Sequence, residues 1–144
     1  MKNTCLVAID DSEGSRRALG HAIERAKISG AELILAHIID WSPYSFHTPD
    51  ELAKRHKRRE DEISRAESVI VQPAVPEVEA AGVAARTIVR HGKGAETLAA
   101  IAREVSAAQI IIGRSGDTDL KSMVFGTTAS KLVQVSDVPV LVVP

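Results

Sequence analysis

Three glycines late in the chain, Gly113, Gly116 and Gly126, have the chemistry of an anion-binding loop. Because glycine has no Cβ, the main chain at such positions can approach a ligand closely. Thr127 and Thr128 open a predicted helix, whose first N–H groups lack partners within the helix and attract phosphate. Each charge-assisted hydrogen bond there contributes about 1.5–3 kcal/mol. Glycines also mark ordinary strand-to-loop turns, so spacing alone leaves both interpretations open.

A carboxylate near the start of the chain is the second candidate group. Asp10 follows an unbroken apolar run over residues 5–9, which is typical of a buried strand. Gly113 likewise follows the apolar run of residues 110–112. In an open parallel sheet, ligands bind outside the carboxyl ends of the strands, where the strand order reverses. Asp10 and Gly113 therefore line the same crevice if their two strands are neighbours.

Strand-like and helix-like segments alternate along the chain and must position these groups. The predicted order is β-α-β-α-β-α-β-α-β, which is typical of an α/β domain with a parallel sheet and right-handed crossovers. The second helix is predicted over residues 50–70, and Pro73 and Pro76 are expected to interrupt or kink the chain beyond it. The predicted strands cover residues 5–9, 33–39, 83–90, 109–112 and 138–143.

Composition excludes several classes of protein. The chain has 144 residues, of which 44% are hydrophobic and 26% charged, as expected of one globular domain. The net charge is −1, and the basic run at residues 54–59 is flanked by acidic residues, so we expect no nucleic-acid partner. The single cysteine, Cys5, excludes an internal disulfide, and the early apolar run is too short to cross a bilayer. We expect one cytoplasmic domain, residues 1–144, without membrane insertion.

The spacing of the late glycines, two residues between the first pair and nine between the second, becomes specific when it is taken with its surroundings. Together with Asp10 after the first strand, the Ala-His-Ile-Ile-Asp segment at residues 36–40 and the Asp-Val-Pro-Val segment at residues 137–140, it resembles the nucleotide-binding branch of the universal stress protein family. The resemblance covers essentially the whole chain. It implies a Rossmann-like fold, similar to that of the adenine nucleotide alpha hydrolases, with an open five-stranded parallel sheet of order 3-2-1-4-5 and helices on both faces.

The resemblance also assigns roles to particular residues. It implies that Asp10 binds the ribose or adenine side of ATP and that Ala8 and Ile38 line the adenine pocket. It further implies that Gly113, Arg114 and Gly116 surround the ribose and phosphates. Gly126, Thr127 and Thr128 would then bind the phosphate chain. The sequence departs from the family pattern at Asp11, which stands where glycine is common.

As a function, the resemblance implies an ATP-binding, nucleotide-dependent regulator or sensor in the stress response, with Mg²⁺ as a candidate companion of the phosphates. The sequence offers no candidate general base beyond Asp10. We therefore assign no catalytic residue and expect any ATPase activity to be weak. Two alternatives stay open. One is a slow ATP hydrolase, and the other is a nucleotide-free module that acts through its dimer surface on an unknown regulatory protein.

The last predicted strand, from Val138 to Val143, carries no charged residue. In the order 3-2-1-4-5 it lies at an edge of the sheet, and uncharged hydrophobic edges are normally covered or paired. We therefore expect a homodimer in which this strand pairs antiparallel with the same strand of a second copy.

Overall fold

The computed structural model of the protein describes residues 3–40, 48–115 and 126–144. In this part of the chain, five parallel strands form one sheet in the order β3-β2-β1-β4-β5. The strands are β1 (Thr4–Ala8), β2 (Glu32–Asp40), β3 (Ala85–Gly92), β4 (Gln109–Gly113) and β5 (Val140–Val143). The predicted fold class and strand order are confirmed. Gly116 of the predicted site lies outside the described residues.

Helices cover both faces of the sheet, because alternate residues of each buried strand point to opposite sides. Cys5 and Val7 of β1 pack into one core with the first helix, whereas Leu6 packs into a second core with the last two helices. The helices are α1 (Glu13–Ser29), α2 (Pro49–Ala66), α3 (Val75–Ala80), α4 (Gly94–Glu104) and α5 (Thr127–Val135). None of the described helices is both long and apolar enough to cross a membrane.

The central strand β1 has β2 on one side and β4 on the other. In register, Val7 pairs with Leu35 of β2 and with Ile111 of β4. The chain therefore leaves β1 in one direction and later returns to its other side, so the strand order reverses between β1 and β4. The adjacency that the sequence argument assumed for the strands ending near Asp10 and Gly113 is confirmed.

The second crossover differs from the prediction. Helical backbone does not stop before Pro73 but continues through a π-helical turn (Glu67–Val71) and a 3-10 turn (Gln72–Ala74) into α3. Both Pro73 and Pro76 occupy first-turn positions, where the missing N–H has no helical acceptor to lose. β3 begins and ends two residues later than predicted, whereas β5 begins two residues later and ends at Val143 as predicted. The carbonyl of Pro139 still accepts from the N–H of Ile110 just before β5 begins.

The start of α1 lies directly against the end of β4, main chain to main chain. A Cβ placed on Gly14 would be 2.1 Å from the carbonyl oxygen of Ser115, and one placed on Gly113 would be 2.6 Å from the carbonyl of Gly14. Neither glycine has a positive φ. The absence of a side chain at Gly113 is therefore explained by the packing of α1 on β4, and not only by room for a ligand as the sequence argument held.

This contact generates a stability prediction with a control in the same helix. We expect Gly14→Ala to lower the free energy of unfolding by about 1–3 kcal/mol, because the main chain at Ser115 must shift to admit a methyl group. Gly20→Ala is the matched control, since a Cβ there meets nothing within 4 Å; alanine's helix propensity should raise stability by up to about 1 kcal/mol. Urea unfolding measures both. Equal stability of the two variants would contradict the proposed close contact.

Candidate functional site

A cavity of about 310 Å³ opens at the carboxyl ends of β1, β2 and β4, where the strand order reverses. Apolar side chains of these strands and of α4 form one part of its wall, and polar groups at the starts of α1 and α5 form the other. The lining residues are Ala8, Ile9, Asp10, Ser12, Ser15, Ala36, His37, Ile38, Asp40, Leu98, Ile112, Gly113, Ser115, Gly126, Thr127, Thr128 and Ala129.

The buried polar side chains of the described residues are concentrated at this cavity. Ser12, Ser15 and Ser115 are only 6%, 6% and 8% exposed, and they are the three polar residues of the described chain in the buried class. All three line the cavity. Polar side chains that converge at one cavity are typical of a site that binds a polar ligand.

The carboxylate of Asp10 is held by the first turn of α1. The N–H and the hydroxyl of Ser12 both donate to Asp10 Oδ1, the N–H at 2.8 Å. The Ser12 hydroxyl oxygen also accepts from the N–H of Ser15 and so caps the start of α1. Among the described residues, no group donates to Asp10 Oδ2. One oxygen therefore orients the carboxylate, and the other has no donor among the described residues.

The peptide unit that precedes the Asp10 side chain is held at both of its polar atoms. The N–H of Asp10 donates to Ser15 Oγ at 2.9 Å, and the carbonyl oxygen of Ile9 accepts from His37 Nδ1 at 2.7 Å. These partners come from α1 and β2, two elements on different sides of the loop after β1. The carboxylate is therefore supported by hydrogen bonds from three side chains before any ligand arrives.

The start of α5 provides the other polar wall. Gly126 caps this helix without a side-chain hydrogen bond, so the first N–H groups of α5 face the cavity end uncapped by a side chain. The N–H of Gly126 donates to the carbonyl of Arg114 at 2.7 Å, and the N–H of Arg114 donates to the carbonyl of Val143. These bonds fix the end of β4, the start of α5 and the end of β5 to one another.

Seven residues predicted for the site line this cavity: Ala8, Asp10, Ile38, Gly113, Gly126, Thr127 and Thr128. Arg114 lies beside the cavity through its main chain but is not part of the lining, and Gly116 is outside the described residues. The assignment of these residues to a ligand remains a prediction.

Several lining residues were missed. The sequence assigns no ligand-binding role to Ser12, Ser15, His37, Asp40 or Ser115, all of which line the cavity. His37 donates to the carbonyl of Ile9 and also lines the cavity. Its position at the carboxyl end of a predicted central strand was the signal that could have identified it.

A second cavity, of about 390 Å³, lies at the opposite end of the sheet, between the end of α1 and the start of β3. Its lining residues are mainly alanine and glycine, and the two charged residues among them are Lys27 and Glu32. Glu32 already accepts from Arg86 at 2.9 Å, and Lys27 lies 3.5 Å from Glu24. With no buried polar side chain directed into it, this cavity lacks the features found at the carboxyl ends.

Comparisons with known proteins agree with this architecture. Residues 1–144 match the family described as "Universal stress protein family". Universal stress protein YxiE of Bacillus subtilis is 31% identical over 150 residues, covering 99% of this chain and 99% of that protein. The solved structure of universal stress protein UspA from Lactobacillus plantarum is similar with a TM-score of 0.83 and 22% identity, over 99% of this chain and 97% of that one.

Two further solved structures of similar fold contain nucleotides. A universal stress protein in complex with cAMP is 22% identical, with a TM-score of 0.67, over 99% of this chain and 97% of that one. The Archaeoglobus fulgidus universal stress protein in complex with dAMP is 17% identical, with a TM-score of 0.64, over 99% and 98%. These likenesses show the shared fold. The match over every residue and the 31% identity over nearly the full length of a relative show that the chain belongs to the universal stress protein family.

Proposed function

We propose that the protein binds ATP in the cavity at the carboxyl ends of β1, β2 and β4 and acts as a nucleotide-dependent regulator in the stress response. The observation that carries the proposal is the concentration of buried polar side chains at this one cavity, beside an oriented carboxylate and an uncapped helix start. Proteins of the same fold that are in complex with cAMP and dAMP support an adenine nucleotide as the ligand class.

The chemistry of the wall suggests how ATP is oriented. Apolar side chains, among them Ala8 and Ile38, form a surface on which adenine can pack. Asp10 Oδ2 is an acceptor for a ribose hydroxyl or for a donor on the adenine side. The first N–H groups of α5, with the hydroxyls of Thr127 and Thr128, favour the phosphates because a helix start carries partial positive charge.

Mg²⁺ is proposed to accompany the phosphates rather than to occupy a site built by the protein. Among the described residues, no group of three or more histidine, cysteine or carboxylate side chains is placed to hold a metal ion. Mg²⁺ is commonly bound through one or two carboxylates together with substrate phosphates and water. Asp10, as an indirect ligand through water, is the protein group that fits this arrangement best, since it lines the cavity with one oxygen available.

The role of Asp10 can be tested against a neighbouring carboxylate. We expect Asp10→Ala to weaken ATP binding about 10- to 100-fold, because a hydrogen bond to a charged acceptor contributes about 1.5–3 kcal/mol. Asp11→Ala removes the same charge one residue away, from an exposed side chain that is not part of the lining, and should bind ATP as the wild type does. Isothermal titration calorimetry measures all three. An equal loss of ATP affinity in both variants would mean that net charge alone explains the effect. A wild type that binds no ATP would favour the nucleotide-free module.

The phosphate end is tested by Gly126→Val. Gly126 has φ −63° and ψ 151°, an extended conformation that valine adopts without strain. We expect the variant to fold, to lose about 1 kcal/mol through a poorer N-cap, and to bind ATP at least 10-fold more weakly because the side chain obstructs the phosphates. Adenosine, which has no phosphates, is the control ligand. If the variant keeps its ATP affinity, or loses as much affinity for adenosine as for ATP, the phosphates do not bind at the start of α5.

We further propose that the protein is a homodimer joined through β5. The carbonyls of Pro139 and Val143 face β4, so Val140 and Val142 direct their main-chain groups to the outer edge. Among the described residues, no strand pairs with that edge, and β5 carries no charge. The opposite edge, β3, carries Arg86 and Arg90, which discourage pairing. A two-fold axis would pair the β5 strands antiparallel.

Proline substitutions in the two edge strands distinguish a dimer joined through β5 from one joined through β3. We expect sedimentation equilibrium of the wild type to give twice the chain mass of 15.4 kDa. Val142→Pro removes an N–H that points to the outer edge of β5. We expect it to shift the protein toward monomer, because hydrogen bonds between the two β5 strands are lost. Val89→Pro makes the same change at an outward position of β3 and should leave the dimer intact. A wild type of single-chain mass at micromolar concentration, or a dimer broken equally by both variants, would exclude β5 as the junction.

A further inference from the structure

We propose that His37 is a ligand-reading residue of the nucleotide site: its Nε2 accepts a hydrogen bond from a donor group on the nucleoside part of the ligand. The inference rests on the proposed function. It adds one ligand-contacting residue and a preference for ligands that carry a hydrogen-bond donor on the nucleoside. Neither the glycine spacing nor the Asp10 carboxylate implies this contact.

The hydrogen bond to Ile9 determines which ring nitrogen of His37 carries the proton. Nδ1 lies 2.7 Å from the carbonyl oxygen of Ile9. A carbonyl oxygen only accepts, so Nδ1 must donate and therefore carries hydrogen. In the neutral ring the other nitrogen, Nε2, then has a lone pair and acts as an acceptor. The structure thus sets the chemical character of the nitrogen that is not used for support.

The Nε2 atom is not used within the described part of the chain. The one hydrogen bond of the His37 ring there is made by Nδ1, and no described residue pairs with Nε2. His37 itself is half-buried and lines the cavity. An acceptor that no described residue uses therefore belongs to a residue of the cavity wall.

The position of His37 makes it suited to read the nucleoside rather than the phosphates. Its ring donates to the carbonyl of Ile9, the residue that precedes Asp10, and Asp10 is the acceptor proposed for the nucleoside. A neutral imidazole acceptor has nothing to offer a phosphate oxygen, which is itself an acceptor. The ligand groups that fit are the 6-amino group of adenine and the ribose hydroxyls, which share hydrogen-bond donation.

A purely structural role for His37 makes a different prediction, and two substitutions separate them. Asparagine places an amide nitrogen near the position of Nδ1, so His37→Asn can keep the bond to Ile9 but presents nothing at Nε2. Glutamine reaches the position of Nε2 with an acceptor oxygen, so His37→Gln keeps the ligand contact and loses the bond to Ile9. The two variants therefore exchange the two functions of the ring.

The experiment measures ATP affinity by calorimetry and the unfolding midpoint by urea for the wild type and both variants. We expect stability to fall in the order wild type, His37→Asn, His37→Gln. We expect affinity to fall in the order wild type, His37→Gln, His37→Asn, with His37→Asn weaker by about 10-fold and His37→Gln within about 3-fold. A role in support alone would give the same order for both measurements and would overturn the proposal.

Nucleotide analogues identify the donor. ITP lacks the 6-amino group and 2′-deoxy-ATP or 3′-deoxy-ATP lacks one ribose hydroxyl. The analogue that lacks the contacted donor should bind the wild type about 10-fold more weakly than ATP and should bind His37→Asn with no additional loss. If His37→Asn binds ATP as tightly as the wild type, or if its loss is the same for ATP and for every analogue, His37 does not read the ligand although ATP binding stands. A wild type that binds no ATP would instead overturn the proposed function and this inference together.

Discussion

The peptide unit between Ile9 and Asp10 has both of its polar atoms hydrogen-bonded by side chains, His37 on the carbonyl and Ser15 on the N–H. This arrangement connects three elements, because the unit follows β1, His37 belongs to β2 and Ser15 to the first turn of α1. With the carboxylate of Asp10 also held by Ser12, rotation of the chain after β1 would break several hydrogen bonds at once. An acidic group positioned in this way loses little conformational entropy when a ligand binds, which is the general advantage of preorganisation.

The same loop is brought to the other half of the site by packing of main chain on main chain. Gly14 and Gly113 allow the start of α1 to lie on the end of β4 at a distance that no side chain would permit. From that point the carbonyl of Arg114 meets the N–H of Gly126, and α5 begins. The carboxylate and the uncapped helix start therefore share one cavity because two glycines allow a close approach, although more than a hundred residues separate them in the chain.

Much of the fold follows from local sequence, and much of the site does not. The runs that became β1 and β4 are apolar on both faces, which permits only a central place in a covered parallel sheet. Helix continuity past Pro73 was not predictable from proline's missing N–H alone, because a change of helical type placed both prolines in first turns. The contact of Gly113 with Gly14 and the bond of His37 to Ile9 depend on which strands are neighbours and in what register. Residue type and spacing do not reveal strand adjacency or register. Asp10 and the helix start at Gly126 could be predicted, because the residues that define each of them lie in one short segment.

The central claim is that one cavity, between the held Asp10 carboxylate and the start of α5, receives an adenine nucleotide. The most direct measurement is a crystal structure of the protein grown with a non-hydrolysable ATP analogue and Mg²⁺. We predict that the phosphates lie against the first N–H groups of α5, with adenine over the apolar wall and Asp10 Oδ2 within hydrogen-bond distance of the nucleoside. Nucleotide bound at the opposite end of the sheet, or a cavity that remains empty at saturating concentration of the analogue, would contradict the account.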